Sequence, residues 1–318
     1  MIHYIGIDIS KRDFHACFNE GGDVLIFIND TIGIKKFIKY LKSIKCTVKN
    51  TLIGLESTGS YHLPVAYLCT KAGYTVNVIN PLITKRQNQT GIRRVKTDKQ
   101  DAKLIRYCLV NGAGYPFYDS AQTLGLKVLV RQRSQYSMLR HGARLKHADV
   151  MERERYLNIP ITSVNLDLYS FLDKKIKLLD QALRKHEPKT QKLLQTIPGV
   201  GPQTAVTCVS EIGDIKRFPD AQKLTAWLGL DPRVHQSGTS INGKGYITKR
   251  GNKLLRTRLF NAASVAVIHP PNIFYEFHQK KLSEGKPYRV ALCAVMHKMV
   301  HVIHAVWRNE TPFVNKFK

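Results

Sequence analysis

The sequence predicts an α/β domain built on a mixed sheet, followed by a mainly helical remainder. Three observations predict it. Residues 2–79 alternate short apolar runs with stretches of helical spacing. The run Asn111-Gly112-Ala113-Gly114-Tyr115-Pro116 breaks that pattern sharply. Residues 121–190 contain only Pro160 and Pro188 as proline breaks and read as long helices. The expected division is 1–115, 116–190 and 191–318.

Residues 2–9 read as a buried strand whose apolar run leads up to Asp8. Phe14–Asn19 and Val24–Ile28 follow as strands, separated by the hairpin signal Glu20-Gly21-Gly22-Asp23. Ile34, Phe37, Ile38 and Leu41 have helical spacing, with Thr31 as the expected cap. Thr51–Glu56 is a fourth strand, again apolar and ending in an acid. A helix over 63–72 closes at Gly73, and Thr75–Ile79 is a fifth strand stopped by Asn80-Pro81. This order of hairpin and crossover units is that of a ribonuclease-H-like domain. Residues 84–99 turn polar and basic, and are expected to form a loop that touches phosphates. Thr97 then caps a helix that begins Asp98-Lys99-Gln100-Asp101.

In the next segment Leu124, Val128, Leu139 and Leu145, then Leu172, Ile176, Leu179 and Leu183, are read as the apolar seam of a coiled-coil-like arm. Seven Arg and Lys residues between 131 and 155 load its first helix with charge. Ile197-Pro198-Gly199-Val200-Gly201-Pro202 has the pattern of a helix-hairpin-helix turn, with Gly199 and Gly201 placed to approach a phosphate. The last third is helical apart from a Gly-rich, basic loop at 231–251. His297 and His301 have the spacing of a zinc helix. Position 298 is Lys, however, and no third ligand is evident, so both read as packing or surface histidines.

Lys and Arg number 50 against 23 acids, a formal charge of +27. Such an excess calls for a polyanionic partner, nucleic acid rather than a membrane surface. Six cysteines are scattered without a CxxC pair and read as reduced thiols. Asp8 and Asp13 fall where a signal peptide needs an apolar core, so an intracellular protein is expected.

Four acids can carry chemistry. Asp8 and Glu56 each close an apolar strand, and Asp98 and Asp101 share one face of a helix start. Taken singly, they suit strand ends and ordinary helix N-terminal charge. On this strand order they converge, and hard carboxylate oxygens suit a pair of Mg2+ or Mn2+ ions working on a phosphodiester. Arg93, Arg94 and Lys96, and further on Lys244, Lys249 and Arg250, are candidate phosphate contacts. Ser237-Gly238 lies in the second of these basic stretches. By composition it is an ordinary loop. Gly238–Lys244 matches the start of a P-loop, but Gly245 replaces the Ser or Thr that would hold Mg2+, so nucleotide binding is rejected.

Five segments together resemble a known family in order and spacing. They are Tyr4–Ser10, Gly54–Gly59, Lys96–Ala102, Ile197–Gly201, and Ser237-Gly238 with Lys249-Arg250-Gly251-Asn252. The family is that of the DEDD-type insertion-sequence transposases related to the Piv and MooV invertases (the insertion-sequence-110 family). The resemblance covers nearly the whole chain. It implies a RuvC-like N-terminal domain with Asp8, Glu56, Asp98 and Asp101 as metal ligands, and a C-terminal transposase domain with Ser237 as reactive serine. It further implies double-stranded donor and target DNA chosen through a structured guide RNA, the bridge RNA, in the cytoplasm of a prokaryote. Where relatives commonly have a second glycine after the serine motif, this chain has Thr239-Ser240, which makes Ser240 a second candidate. Serine and acids fall in separate domains, so a site shared between subunits of a dimer or tetramer is expected. The rival expectation is a RuvC-like, junction-resolving nuclease that uses water.

Overall fold

The computed structural model describes residues 2–19, 23–57, 59–89, 97–158, 165–186, 189–232 and 246–315. They form two compact units, Met1–Ser120 and Ala121–Lys318.

The first unit is mixed α/β. Its strands are β1 His3–Ile9, β2 Asp13–Cys17, β3 Val24–Ile28, β4 Thr51–Glu56, β5 Thr75–Ile79 and the short β6 Tyr115–Pro116. Helices α1 Thr31–Ser43, α2 His62–Lys71, α3 Pro81–Gln89 and α4 Asp98–Val110 connect or cover them. The sheet order is β3-β2-β1-β4-β5-β6. β1 pairs antiparallel with β2 and parallel with β4, which is parallel to β5. The expected succession of elements through β5 is therefore present. β6 adds an antiparallel edge, where Pro116 lacks no needed ladder donor.

Strand alternation sends Ile5, Ile7 and Ile9 to one face, and all three are buried. Phe14 and Phe27 continue that face and meet Phe37 of α1, with ring centroids 5.4 and 5.2 Å apart. The cap of α1 is Asp30, not Thr31. Its carboxylate accepts from Gly33 N at 2.6 Å, and Thr31 is already the first helical residue. Residues 84–89 are not loop but the end of α3. Asn80 Oδ1 accepts from Leu82 N at 2.9 Å and Pro81 takes the first helical position, so the local chemistry starts a helix where hydrophobic periodicity is silent.

The second unit comprises α5 Ala121–Leu157, α6 Asn165–Lys185, α7 Lys189–Leu194, α8 Pro202–Ile212, a 3-10 turn Ile215–Arg217, α9 Ala221–Leu228, α10 Lys253–Ile268, α11 Ile273–Ser283 and α12 Tyr288–Asn309. At 1.5 Å per residue α5 is roughly 55 Å long. It packs along α6 and on α8. The expected α5 seam is corrected: Val128, Leu139 and Leu145 are 57–59% exposed, whereas Leu126, Val130 and Ala143 are buried. Two ion pairs, Arg133–Asp180 and Arg140–Asp173, help to set the pairing of α5 with α6. Leu172, Ile176 and Leu183 of α6 are buried as expected. The main core of this unit gathers residues of α7–α12. α12 is long and apolar enough to cross a membrane by length and composition, but Val295, Met299 and Ile303 sit in this core.

Candidate active site

The parallel pair β1–β4 places Gly6 directly beside Gly54. Two residues on, and therefore on the same face, stand Asp8, the last residue but one of β1, and Glu56, the last of β4. The two glycines make a trough for α4. A β-carbon on Gly6 would lie 2.3 Å from the Arg106 amide nitrogen and 2.4 Å from the Ala102 carbonyl oxygen. One on Gly54 would lie 2.9 Å from Leu109 Cδ2. With no side chains there, α4 settles backbone-close on β1, and Arg106 Nε donates to Tyr4 O at 3.0 Å. Ile105 and Leu109 pack with Tyr4, Leu52 and Ile79 below. Thr97 Oγ1 accepts from Gln100 N at 3.3 Å and starts the helix, so its first turn carries Asp98 and Asp101.

The other three acids all act electrostatically on Asp8. The Asp8 carboxyl is pushed up from 3.8 to about 6, first by burial and then by the negative charges of Asp101, Glu56 and Asp98. Among the described residues no three His, Cys, Asp or Glu side chains stand close enough to form a ready-made cation cage. The donor set nonetheless fits a hard divalent cation, being all carboxylate and mutually repulsive without positive charge between its members. Cys108 feels the same field, its thiol raised by burial and by Glu56.

One site residue escaped the reading of the sequence. Thr84 of α3, 5% exposed, has its hydroxyl 2.6 Å from Glu56 Oε2 and 3.0 Å from Pro81 O. The charged oxygen is the stronger acceptor for the single proton. The signal was the Asn80-Pro81 helix start, which puts Thr84 one turn in. Thr84→Val is expected to lower stability by about 1 kcal/mol, read as a lower urea midpoint. An unchanged midpoint would show that the bond contributes nothing.

Lys249 and Arg250 are exposed, as phosphate contacts need to be. Gly201 is open, but Gly199 is not a free surface: its β-carbon would fall 2.2 Å from Ala262 O, so it serves the approach of α10. Arg93, Arg94, Lys96, Ser237, Ser240 and Lys244 lie outside the described residues. The His297 and His301 rings stand 4.8 Å apart, and burial followed by the His301 charge lowers the pKa of His297. All six cysteines are free thiols.

Two family models match the chain. One described as "Transposase", of the DEDD type of IS110, covers residues 5–148, and the "Transposase IS116/IS110/IS902 family" covers 191–279. The pilin gene-inverting protein of Moraxella bovis is 30% identical over 98% of this chain and 97% of its own length. The transposase for insertion sequence element IS1328 of Yersinia enterocolitica is 25% identical over 97% of this chain and 98% of its own.

Proposed function

Because the chain belongs to the IS110/IS116 family of insertion-sequence transposases, a family of DNA-rearranging enzymes, we propose that it cuts and rejoins DNA through a covalent phosphoserine. Ser237 is the nucleophile. Asp8, Glu56, Asp98 and Asp101 hold the Mg2+ or Mn2+ ions that a DEDD-type domain calls for. The observation that carries this reading is the raised Asp8 carboxyl of β1, which Glu56 of β4 and Asp98 and Asp101 of α4 press from two other elements. The order β3-β2-β1-β4-β5, a hairpin followed by parallel crossovers, supports a RuvC-like domain.

In the covalent step the Ser237 Oγ–phosphorus bond forms and the bond from phosphorus to the departing 3′ oxygen breaks. The serine proton ends on that oxygen as a hydroxyl. The phosphodiester energy is kept in the serine ester, so rejoining needs no ATP. Bound cations would neutralise charge on the phosphate and on the leaving oxygen. Thr84 keeps Glu56 oriented, and the docking of α4 brings Asp98 and Asp101 to the strand ends. Arg93, Arg94, Lys96, Lys244, Lys249 and Arg250, with the open backbone at Gly201, hold the backbone phosphates. The domain plan is 1–115 for the metal site, 116–190 for the arm and 191–318 for the serine. Acids and serine from different subunits of a dimer or tetramer complete one site. The charge of +27 suits both duplex DNA and a structured guide RNA. The work takes place on prokaryotic DNA in the cytoplasm.

A nicked DNA substrate tests this. The wild-type protein is expected to leave a covalent protein–DNA adduct on a denaturing gel, and Ser237→Ala none, while Ser240→Ala keeps it. Metal-dependent cutting with no adduct would instead make water the attacking group. Sequencing of RNA that co-purifies tests the guide: random cellular RNA would overturn it.

A further inference from the structure

Glu211 stands where a carboxylate costs most. It is 2% exposed and lies in the last turn of α8, where the helix dipole disfavours negative charge. Both its oxygens are engaged. Arg131 of α5 forks onto them, Nε 2.8 Å from Oε1 and Nη2 2.9 Å from Oε2. Asn252 Nδ2 donates to Oε2 at 2.7 Å. The other end of the same amide, Oδ1, accepts from Leu255 N at 2.9 Å and caps α10.

Asn252 closes the turn Lys249-Arg250-Gly251. That turn is pressed against the end of α9: a β-carbon on Gly251 would fall 1.8 Å from Trp227 O, and Lys249 N donates to Gly229 O at 2.9 Å. Lys249 itself takes the left-handed conformation, φ +54°. One step earlier Thr248 N donates to Asp231 O at 2.9 Å, its hydroxyl donates to Asp231 Oδ1 at 2.5 Å, and Ile247 bridges Pro232. The described chain on both sides of residues 233–245 is therefore clamped at one place, and Asn252 ties that clamp to the buried carboxylate of Glu211, which is paired with the partly exposed Arg131.

We propose that Glu211 is a positioning residue for this clamp. Through Asn252 it fixes how Lys249 and Arg250 are presented and holds together Asp231-Pro232 and Ile247-Thr248, the described residues between which Ser237 falls in sequence. Arg131 extends the constraint to α5, so that helix and the 246–252 turn share one carboxylate, Glu211. The proposal rests on the reading of Ser237 as nucleophile.

The test follows formation of the serine adduct on nicked DNA, at saturating DNA, with the full-length protein. Glu211→Gln puts an amide donor where Asn252 and Arg131 need acceptors. The adduct rate is expected to fall about 30-fold, with DNA affinity within about threefold of wild type. Asn252→Asp keeps the cap but sets two acids face to face, and a similar fall is expected. The swap Glu211→Gln with Asn252→Asp restores a donor–acceptor pair, and the rate should return to within about fivefold. Should Glu211→Gln fail to fold, Asn252→Asp and Arg131→Lys carry the comparison. An unchanged adduct rate in the single variants, or a swap no better than either of them, overturns the role of Glu211 while the wild-type adduct upholds Ser237. No adduct from the wild type would remove both.

Discussion

Asp8→Asn raises the melting temperature of the metal-free protein at pH 7 and removes its DNA cleavage. Both effects follow from one carboxyl pushed up to about 6 by burial and three acidic neighbours. Between the ordinary value of 3.8 and about 6 the native state holds this proton more tightly than the unfolded chain does, so stability falls as pH rises through that window. Above it the charged form is the repelled one. The full shift would correspond to roughly 3 kcal/mol, and partial solvent access reduces it to about 1–2 kcal/mol. Asparagine keeps the shape and removes the repulsion, so the gain is expected at pH 7 and should shrink as pH drops below 6. Melting curves from pH 4.5 to 8, with and without Mg2+, read this directly. Added Mg2+ should raise the wild-type melting temperature more than that of the variant. Cleavage should drop on the order of 10²–10³-fold or more, since the proposed metal site loses one of its four carboxylates. A variant less stable than wild type at pH 7 would contradict the electrostatic account.

Gly6→Ala is the second large effect. The new methyl meets backbone on α4, the Arg106 amide and the Ala102 carbonyl, and not the free end of a side chain. Neither can swing aside, so α4 must lift. The expected loss is about 3 kcal/mol or more, read from guanidinium unfolding. Lifting α4 also draws Asp98 and Asp101 away from Asp8, so metal-dependent cleavage should weaken even where the protein stays folded. Gly125→Ala, in α5 with nothing within 4 Å of the new carbon, is the control and should stabilise by about 0.5–1 kcal/mol.

The first unit was largely legible because its signals are local. Ile5, Ile7 and Ile9 alternate, Thr97 caps, and Asp8 and Glu56 interrupt apolar runs at strand ends. α3 was not legible, since Thr84 is the one buried residue among its described side chains and hydrophobic periodicity has almost nothing to count. The α5 seam failed for the opposite reason. That helix has apolar residues on several faces, and its pairing with α6 also depends on Arg133–Asp180 and Arg140–Asp173, contacts between residues far apart in sequence. That Glu56 and the acids of α4 come near enough to raise the Asp8 carboxyl could be expected from strand order. The glycine trough that permits it needs the register of β1 on β4, which no single stretch declares. Glu211 was invisible for the same reason, since its partners Arg131 and Asn252 lie 80 and 41 positions away.

α4 supplies both the lid of a small core and two of the four acids. Synthesis runs from the N-terminus, so β1 through β5 leave the ribosome before it, and the furrow between Gly6 and Gly54 stays uncovered until residue 110 is out. A nascent chain therefore has strand ends but no assembled acid cluster. On the proposed role of these acids the chain stays unarmed throughout that interval, and the last helix to dock on the sheet completes their set.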